Sequence, residues 1–350
     1  MPRQATYHSP AQKQPETDMK NHRIAIIGAG MAGLACARRA QCAGMKVELF
    51  DKAGRAGGRM ASRALSLTDG TTMLDHGAQY FTARDPDFRM LCNAALTAGV
   101  IEPWTAVLRD DRNAVQVVDE QDSRYRGYPD MNALPRWLAQ GLALQCRAEV
   151  RELHRESAGW SLQFTDGRAE AGFAAVVVTL PAEQTAVLLK NISPLLATQA
   201  LSAHSAPCWA ALFGFARATR WPAWQALRLA DNHCLGWLAR SRDGRGLVAH
   251  ATPQWSRAHL EQAPDIVQAA LLAAVHECAP GLGTPQIATV HRWRFALVEQ
   301  AADAPYGFDP AVRLAVCGDW LLGPRVEFAW MSGNALGAHL PGLLHNATQA

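Results

Sequence analysis

The sequence predicts an α/β protein in two parts, a domain around a largely parallel, nucleotide-binding sheet and a second, α+β domain built on a mainly antiparallel sheet. Three observations carry this. Residues 24–27 form an apolar run that enters Gly28-Ala-Gly30-Met-Ala-Gly33, a helical pattern as far as Gly44, and then Val47-Glu-Leu-Phe-Asp51, which together read as a βαβ unit. Further apolar strand-like runs at 174–179 and 312–317 bring the chain back to the same sheet. Between about 208 and 290 the pattern changes to short strands interrupted at Trp221-Pro222 and Asp243-Gly244, with a helical stretch over 265–278.

In a Rossmann-type unit each glycine has its own task. Gly28 permits the tight turn off the strand, Gly30 lets the backbone approach a pyrophosphate, and Gly33 lets the helix pack on the sheet. The pyrophosphate then faces unpaired N–H groups at the helix start, where the dipole favours negative charge. Asp51 closes the second strand eighteen residues after Gly33, where a carboxylate accepts hydrogen bonds from ribose hydroxyls. A charged acceptor there contributes about 1.5–3 kcal/mol.

Further along, 65–69 and 71–74 read as short strands around Gly70, and 75–84 as a passage from loop to strand. A helical period follows over 86–99, strands over 104–118, and a second amphipathic helix over 131–142. Strands at 146–153 and 160–164 precede the one at 174–179, and Val150 is expected where its backbone faces an adenine. Residues 331–344 read as a terminal helix until Pro341 disturbs it.

The 350 residues suffice for two domains, and 49% hydrophobic with 19% charged residues is ordinary globular composition. A net charge of +3 with scattered basic residues argues against a nucleic-acid footprint. No apolar run is long enough to span a membrane. Residues 1–22 are polar, carry no apolar signal core, and are expected to form a disordered tail, with Met19 an alternative translation start. Eight cysteines without a CxxC pair fit a reducing, cytoplasmic setting. Cys36 and Cys42 are expected on the first helix as core or near-core residues.

Asp51-Lys52-x4-Gly57-Gly58-Arg59 resembles the signature of the large flavoprotein group that includes amine oxidases and phytoene desaturases, which implies FAD as the cofactor. Gly57 and Gly58 would admit its bulk, and Arg59 would supply a cation to its phosphates. Asp75-x-Gly77-Ala78-Gln79-Tyr80-Phe81-Thr82-Ala83-Arg84, His250-Ala-Thr-x-x-Trp255-Ser256, His291-Arg292-Trp293 and Cys317-Gly318-Asp319-Trp320, followed by Arg325-Val326-Glu327-x-Ala329-Trp330-x-Ser332-Gly333, are more specific. Together they resemble the bacterial branch of the renalase family over nearly the whole chain from Arg23.

The resemblance implies an oxidase that takes a hydride from dihydronicotinamide dinucleotides reduced at the 2 or 6 position, giving NAD(P)+, with O2 reoxidising the flavin to form H2O2. It implies non-covalent FAD contacts at Met31, Ala32, Lys52, Met60, Gln79 and Tyr80, and at Gly318, Asp319, Val326 and Ser332. Ser332 would cap the last helix beneath the flavin ring, and Gly333 would let the ring come close. Cys317 either tethers flavin, as in some related oxidases, or is a buried thiol. The implied division is a discontinuous FAD domain over 23–85, 130–205 and 291–350, and a substrate domain over 86–129 and 206–290.

For the substrate, Tyr80, Phe81, Thr82 and Ala83 either line a ring slot or fill a strand core. Arg84 either clamps a phosphate or carboxamide or pairs with Asp85 or Asp87; His250 either bonds the nicotinamide or is structural. Arg292 and Trp293 are candidates for the remaining charge and a stacking wall. No side-chain acid or base is expected, because a dihydropyridine is already a hydride donor and needs chiefly positioning. Expected partners are the dinucleotide and O2, with no nucleic acid or membrane, in a monomer or weak homodimer. The competing readings are a flavin amine oxidase with an aromatic cage, and a non-catalytic flavin-binding protein.

Overall fold

The computed structural model describes residues 23–105, 108–110, 123–157, 159–216 and 219–349, so the expected tail and most of the strands expected over 104–118 lie outside the described residues. The chain passes through β1 (Arg23–Ile27), α1 (Met31–Cys42) and β2 (Lys46–Asp51), then the hairpin of β3 (Ser62–Leu67) and β4 (Gly70–Asp75). There follow β5 (Phe81–Thr82), α2 (Pro86–Thr97), β6 (Ile101–Pro103), β7 (Leu108–Asp110), β8 (Arg124–Gly127) and α3 (Ala133–Ala139). The chain then runs through β9 (Ala143–Cys146), β10 (Val150–Glu156), β11 (Gly159–Phe164), β12 (Ala169–Val178), α4 (Ala182–Leu189) and α5 (Pro194–Leu201). A second region holds β13 (His204–Gly214), β14 (Ala226–Arg228), β15 (Leu235–Arg240), β16 (Gly246–Ala251), α6 (Pro253–Ala258), α7 (Pro264–Cys278) and β17 (Ile287–Gln300). The return is β18 (Gly307–Asp309), β19 (Leu314–Val316) and α8 (Val326–Gln349).

The first sheet has a parallel core in the order β9-β2-β1-β12-β19, extended by β18 and, against the first half of β12, by antiparallel β10 and β11. Strand β1 lies at its centre and both its faces are covered, which is why its sequence is a continuous apolar run. Ile24 and Ile26 pack toward α1, α2, α3 and α8, whereas Ala25 and Ile27 pack toward α4 and α5. The second sheet, β17-β13-β16-β15-β14-β7, is antiparallel except where β7 joins β14. Helix α7 covers one face through Val267, Leu271 and Val275, and Leu65 and Leu74 of the β3-β4 hairpin press on Leu212 and Val248. Rossmann-like sheet and antiparallel partner are thus both present.

Three details differ from the sequence reading. The strand expected over 146–153 is broken by Arg147 at φ 54°, whose N–H donates to Ala53 O while Ala148 N–H donates to Asp51 O. Strand β17 continues through residues 291–300 in the second sheet, across the expected domain boundary. Helix α8 starts at Val326 rather than near Met331, and it continues through Pro341.

An interior proline costs about 3 kcal/mol. Here Leu336, Leu340 and Leu344 are buried along α8, each contributing about 1.5–3 kcal/mol, so packing outweighs the proline. The crossing with α1 is close because Gly333 and Gly337 face the backbone of Ala32 and Cys36, where a Cβ would collide. Gly342, on the same helix, faces open space. Gly333→Ala should therefore lower unfolding free energy by about 1–3 kcal/mol in a denaturant titration, whereas Gly342→Ala should leave it unchanged or raise it by up to about 1 kcal/mol. Equal effects from the two changes would contradict the close crossing.

Candidate active site

A cavity of about 2370 Å³ opens between the two sheets. That exceeds the roughly 300–1,000 Å³ of a single small-ligand pocket. Its floor is built from glycine turns. The N–H of Gly57 donates to Ala29 O at 2.9 Å, and a Cβ on Gly58 would lie 3.3 Å from Gly30 Cα. Gly57 and Gly58 have φ of 143° and 52°, so both conformations favour glycine. Their smallness therefore serves contact between two protein turns and the nearby Asn132 amide, rather than only the bulk of a ligand.

Gly30 is different, since a Cβ there would meet nothing within 4 Å, and the residue borders the cavity at the start of α1. This is an open, anion-facing cradle. Gly33 does not border the cavity; its missing Cβ leaves room for Gly28 O and Thr179 Oγ1. Asp51 accepts from Ala29 N at 2.6 Å through Oδ2 and from Ala53 N at 2.8 Å through Oδ1. Each oxygen keeps a further lone pair for a ribose hydroxyl. Met31, Ala32, Lys52 and Met60 border the same end, with Val150 beyond Asp51.

Arg59 and Asp319, expected to meet a cofactor separately, bind each other at 2.6 Å, and Arg59 Nη1 also donates to Ala296 O at 3.3 Å. Gly318 and Val326 border the cavity beside them. Ser332 does not. It is fully buried inside α8, where its hydroxyl accepts from Gly318 N at 2.9 Å and donates to Pro305 O at 2.7 Å. The helix end at the cavity is Val326, so the expected Ser332 cap and the expected ring contact at Gly333 are both corrected. Cys317 is fully buried, and Cys36 together with burial raises its thiol well above the ordinary range, which supports the buried-thiol alternative; Cys36 is in the core as expected, whereas Cys42, at the end of α1, is exposed.

Tyr80, Phe81, Thr82 and Arg84 border the cavity, whereas Ala83 is fully buried in the core. Glu327, in the first turn of α8, fixes this segment by accepting from Arg84 N at 2.5 Å and Asp85 N at 2.6 Å. Gln79 donates its side-chain amide to Asp75 O.

The ceiling is the second sheet. His250 Nε2 and Trp293 Nε1 both donate to His76 O, at 3.1 and 3.0 Å. The His76 ring lies nearly parallel to the Trp293 ring at 5.4 Å and edge-on to His291 at 4.9 Å. Because a carbonyl only accepts, neutral His250 carries its proton on Nε2 and leaves Nδ1 as an acceptor. Burial, then competition with His291 for a proton and the nearby Arg63 guanidinium, depresses His76 to about 3; burial depresses His250 to about 4, and burial followed by Arg63 depresses His291 to about 4. These imidazoles are uncharged at neutral pH.

Arg292 borders the cavity, but its guanidinium is held on the other face of the sheet. It donates to Leu260 O at 2.7 Å and Glu261 Oε2 at 2.9 Å, and its guanidinium lies over Trp209 at 5.5 Å. Strand alternation, which places His291 with Trp293 and Arg292 opposite, was the available signal for His291. Arg124, Arg228 and Trp237 were also missed as cavity residues, because only tertiary folding brings them to it, whereas His76 lies inside the Asp75 to Arg84 segment already singled out and was given no role there.

A glycine-cradled βαβ unit, a carboxylate at the second strand end and a large cleft under an antiparallel sheet define a two-domain, dinucleotide-binding oxidoreductase. Residues 26–95 match the NAD(P)-binding Rossmann-like domain, and residues 114–335 match the flavin containing amine oxidoreductase family. The chain belongs to that flavin-dependent family, and FAD is its cofactor. The protein named "Putative oxidoreductase UacF" of Escherichia coli (strain K12) is 34% identical over 73 residues, which are 21% of this chain and 11% of that relative. The crystal structure titled "Putative protoporphyrinogen oxidase" from Exiguobacterium sp. 255-15 superimposes with TM-score 0.68 at 12% identity, covering 95% of this chain and all of the other, a likeness of fold.

Two outcomes follow. Asp51→Ala should purify largely colourless, as read from the ratio of flavin to protein absorbance, and full FAD content would contradict the role of Asp51. The depressed histidines bind protons in the unfolded chain below about pH 6.5 but not in the folded one, so folding stability should fall as pH drops from 6.5 toward 4. His76→Gln should reduce the slope of unfolding free energy against pH in that window by about one proton; an unchanged slope would place the imidazole in solvent.

Proposed function

We propose that this protein is a renalase-like oxidase of isomeric dihydronicotinamide dinucleotides, those reduced at the 2 or 6 position, and that it returns them to NAD(P)+ with O2 as the acceptor. When bound, FAD would supply a hydride acceptor at N5, and O2 with one proton from solvent would take up the electron pair as H2O2. The chain's own part is to bind, orient and exclude water. Gly30 and the start of α1 receive the cofactor's pyrophosphate, and Asp51 its ribose. Glu327 holds the Phe81 to Arg84 segment against the start of α8, fixing one wall of the cleft.

The observation that carries the reading is the ceiling formed by His76, His250, His291 and Trp293. It is aromatic, ordered by the hydrogen bonds of His250 and Trp293 to His76 O, and uncharged at neutral pH. Such a wall suits a neutral dihydropyridine ring and opposes the cation it becomes on oxidation less than protonated imidazoles would. His250 Nδ1 is an acceptor suited to a carboxamide N–H. No proton has to be removed from the substrate, so a wall of weakly basic groups meets the chemistry.

A flavin amine oxidase is favoured by one feature, the cluster of Tyr80, Trp104 and Trp237, with ring centroids 4.6 to 6.2 Å apart. Yet Arg124 lies over Tyr80 at 5.3 Å and Arg228 over Trp237 at 5.9 Å. Guanidinium groups on these faces disfavour an ammonium substrate. Under anaerobic conditions the yellow protein should bleach within seconds when mixed with 6-dihydroNAD or 2-dihydroNAD and stay oxidised with biogenic amines. Bleaching by amines alone would transfer the assignment to an amine oxidase, and bleaching by neither would favour a flavin-holding role.

A further inference from the structure

The paired residues of the second sheet place one row of side chains across the cavity ceiling. His291 is opposite Ala210, Ala210 opposite His250, His250 opposite Trp237, and Trp237 opposite Arg228. Directly paired residues project from the same face of a sheet, so the row runs from neutral imidazoles through an indole to a guanidinium. All but Ala210 border the cavity. From His250 to Arg228 the row crosses two strand spacings, roughly 10 Å, a span that a ribosyl unit bridges.

A second guanidinium converges on the same end. Arg228 Nη2 donates to Tyr80 Oη at 3.2 Å, while Arg124 stands over the Tyr80 ring at 5.3 Å and also borders the cavity. Among the described residues neither arginine forms an ion pair. Asp110 is paired with Arg228 across the sheet edge but does not border the cavity. Nε and Nη1 of Arg124 are shielded from solvent without a hydrogen-bond partner. Two cations drawn to one tyrosine, one of them incompletely bonded, are costly until a counter-charge arrives. Guanidinium forks match phosphate oxygens, and the tyrosine lies between them.

We propose that Arg124 and Arg228, converging on Tyr80, form a subsite for the pyrophosphate of a dinucleotide substrate whose ring lies under His250 and Trp293. This deepens the oxidase reading and rests on it. The subsite selects a dinucleotide over a riboside that carries the same ring, because only the dinucleotide reaches both ends of the row.

The test is calorimetric titration of the FAD-loaded protein with ADP-ribose, which carries the anionic half of the substrate and no nicotinamide ring. It should bind the unaltered protein, and Arg228→Gln and Arg124→Gln should each weaken binding about tenfold or more. Arg228→Lys, which keeps the charge and loses the fork, should fall between. Raising salt from 50 to 200 mM should weaken binding to the unaltered protein, a readout that needs no variant. In turnover, the preference for 6-dihydroNAD over the dihydronicotinamide riboside should shrink in both glutamine variants.

ADP-ribose that fails to bind, binds independently of salt, or binds equally to the glutamine variants would overturn the subsite. Arginine-dependent binding with no bleaching by any dihydronicotinamide would instead overturn the oxidase reading and leave an anion subsite in place.

Discussion

An ion pair between Arg59 and Asp319, residues 260 apart in sequence, ties the molecule together at its cleft. Arg59 follows the second glycine turn, Asp319 follows β19, and the same guanidinium reaches Ala296 O on β17 of the second sheet. One side chain thus joins the nucleotide-binding sheet to the sheet above it. The pair is partly buried, with side-chain exposures of 31% and 10%, so losing either partner leaves a poorly solvated charge. The turn behind it has little freedom to drift, because the Gly57 amide is bonded to Ala29 O and Gly58 lies on Gly30. The shape of the floor follows from these few contacts.

Above that floor, the cleft changes character along its length. At one end the imidazoles are neutral because burial makes protonation unfavourable, and the carbonyl of His76 orders them by accepting from both His250 and Trp293. At the other end the aromatic cluster of Tyr80, Trp104 and Trp237 carries guanidinium groups on its faces. Aromatic rings alone would describe an amine cage; with cations already on them they become a platform for anions. The identity of the aromatic residues therefore says less about specificity than the charges that they hold.

Much of the floor was legible in the sequence because it is local. Gly28, Gly30 and Asp51 act through a strand, a turn and a strand that follow one another directly, so spacing alone locates them. The start of α8 was misread. The flavoprotein likeness drew attention to Ser332, while Pro324 just before the helix and Glu327 in its first turn were the local signals of a start at Val326. Ser332 is a poor guide because its hydroxyl serves Gly318 and Pro305, contacts formed only on folding. Strand β17 was equally hard to read. It faces the cleft on one side and the Glu261 pairs of Arg292 and Arg294 on the other, so it lacks an alternation of apolar and polar residues. The cationic end of the cleft draws Tyr80, Arg124 and Arg228 from separate strands, and no spacing rule joins them.

The close crossing of α1 and α8 has a consequence for biosynthesis. Helix α1 begins at Met31, but the helix that covers it begins at Val326, and β19 joins the sheet only from Leu314. While a ribosome is still producing the intervening three hundred or so residues, Leu34, Ala37 and the inner faces of β1 lack their final cover. Emerging chains therefore hold an uncovered apolar surface until the last segment docks, and the core around α1 is completed only by the final helix.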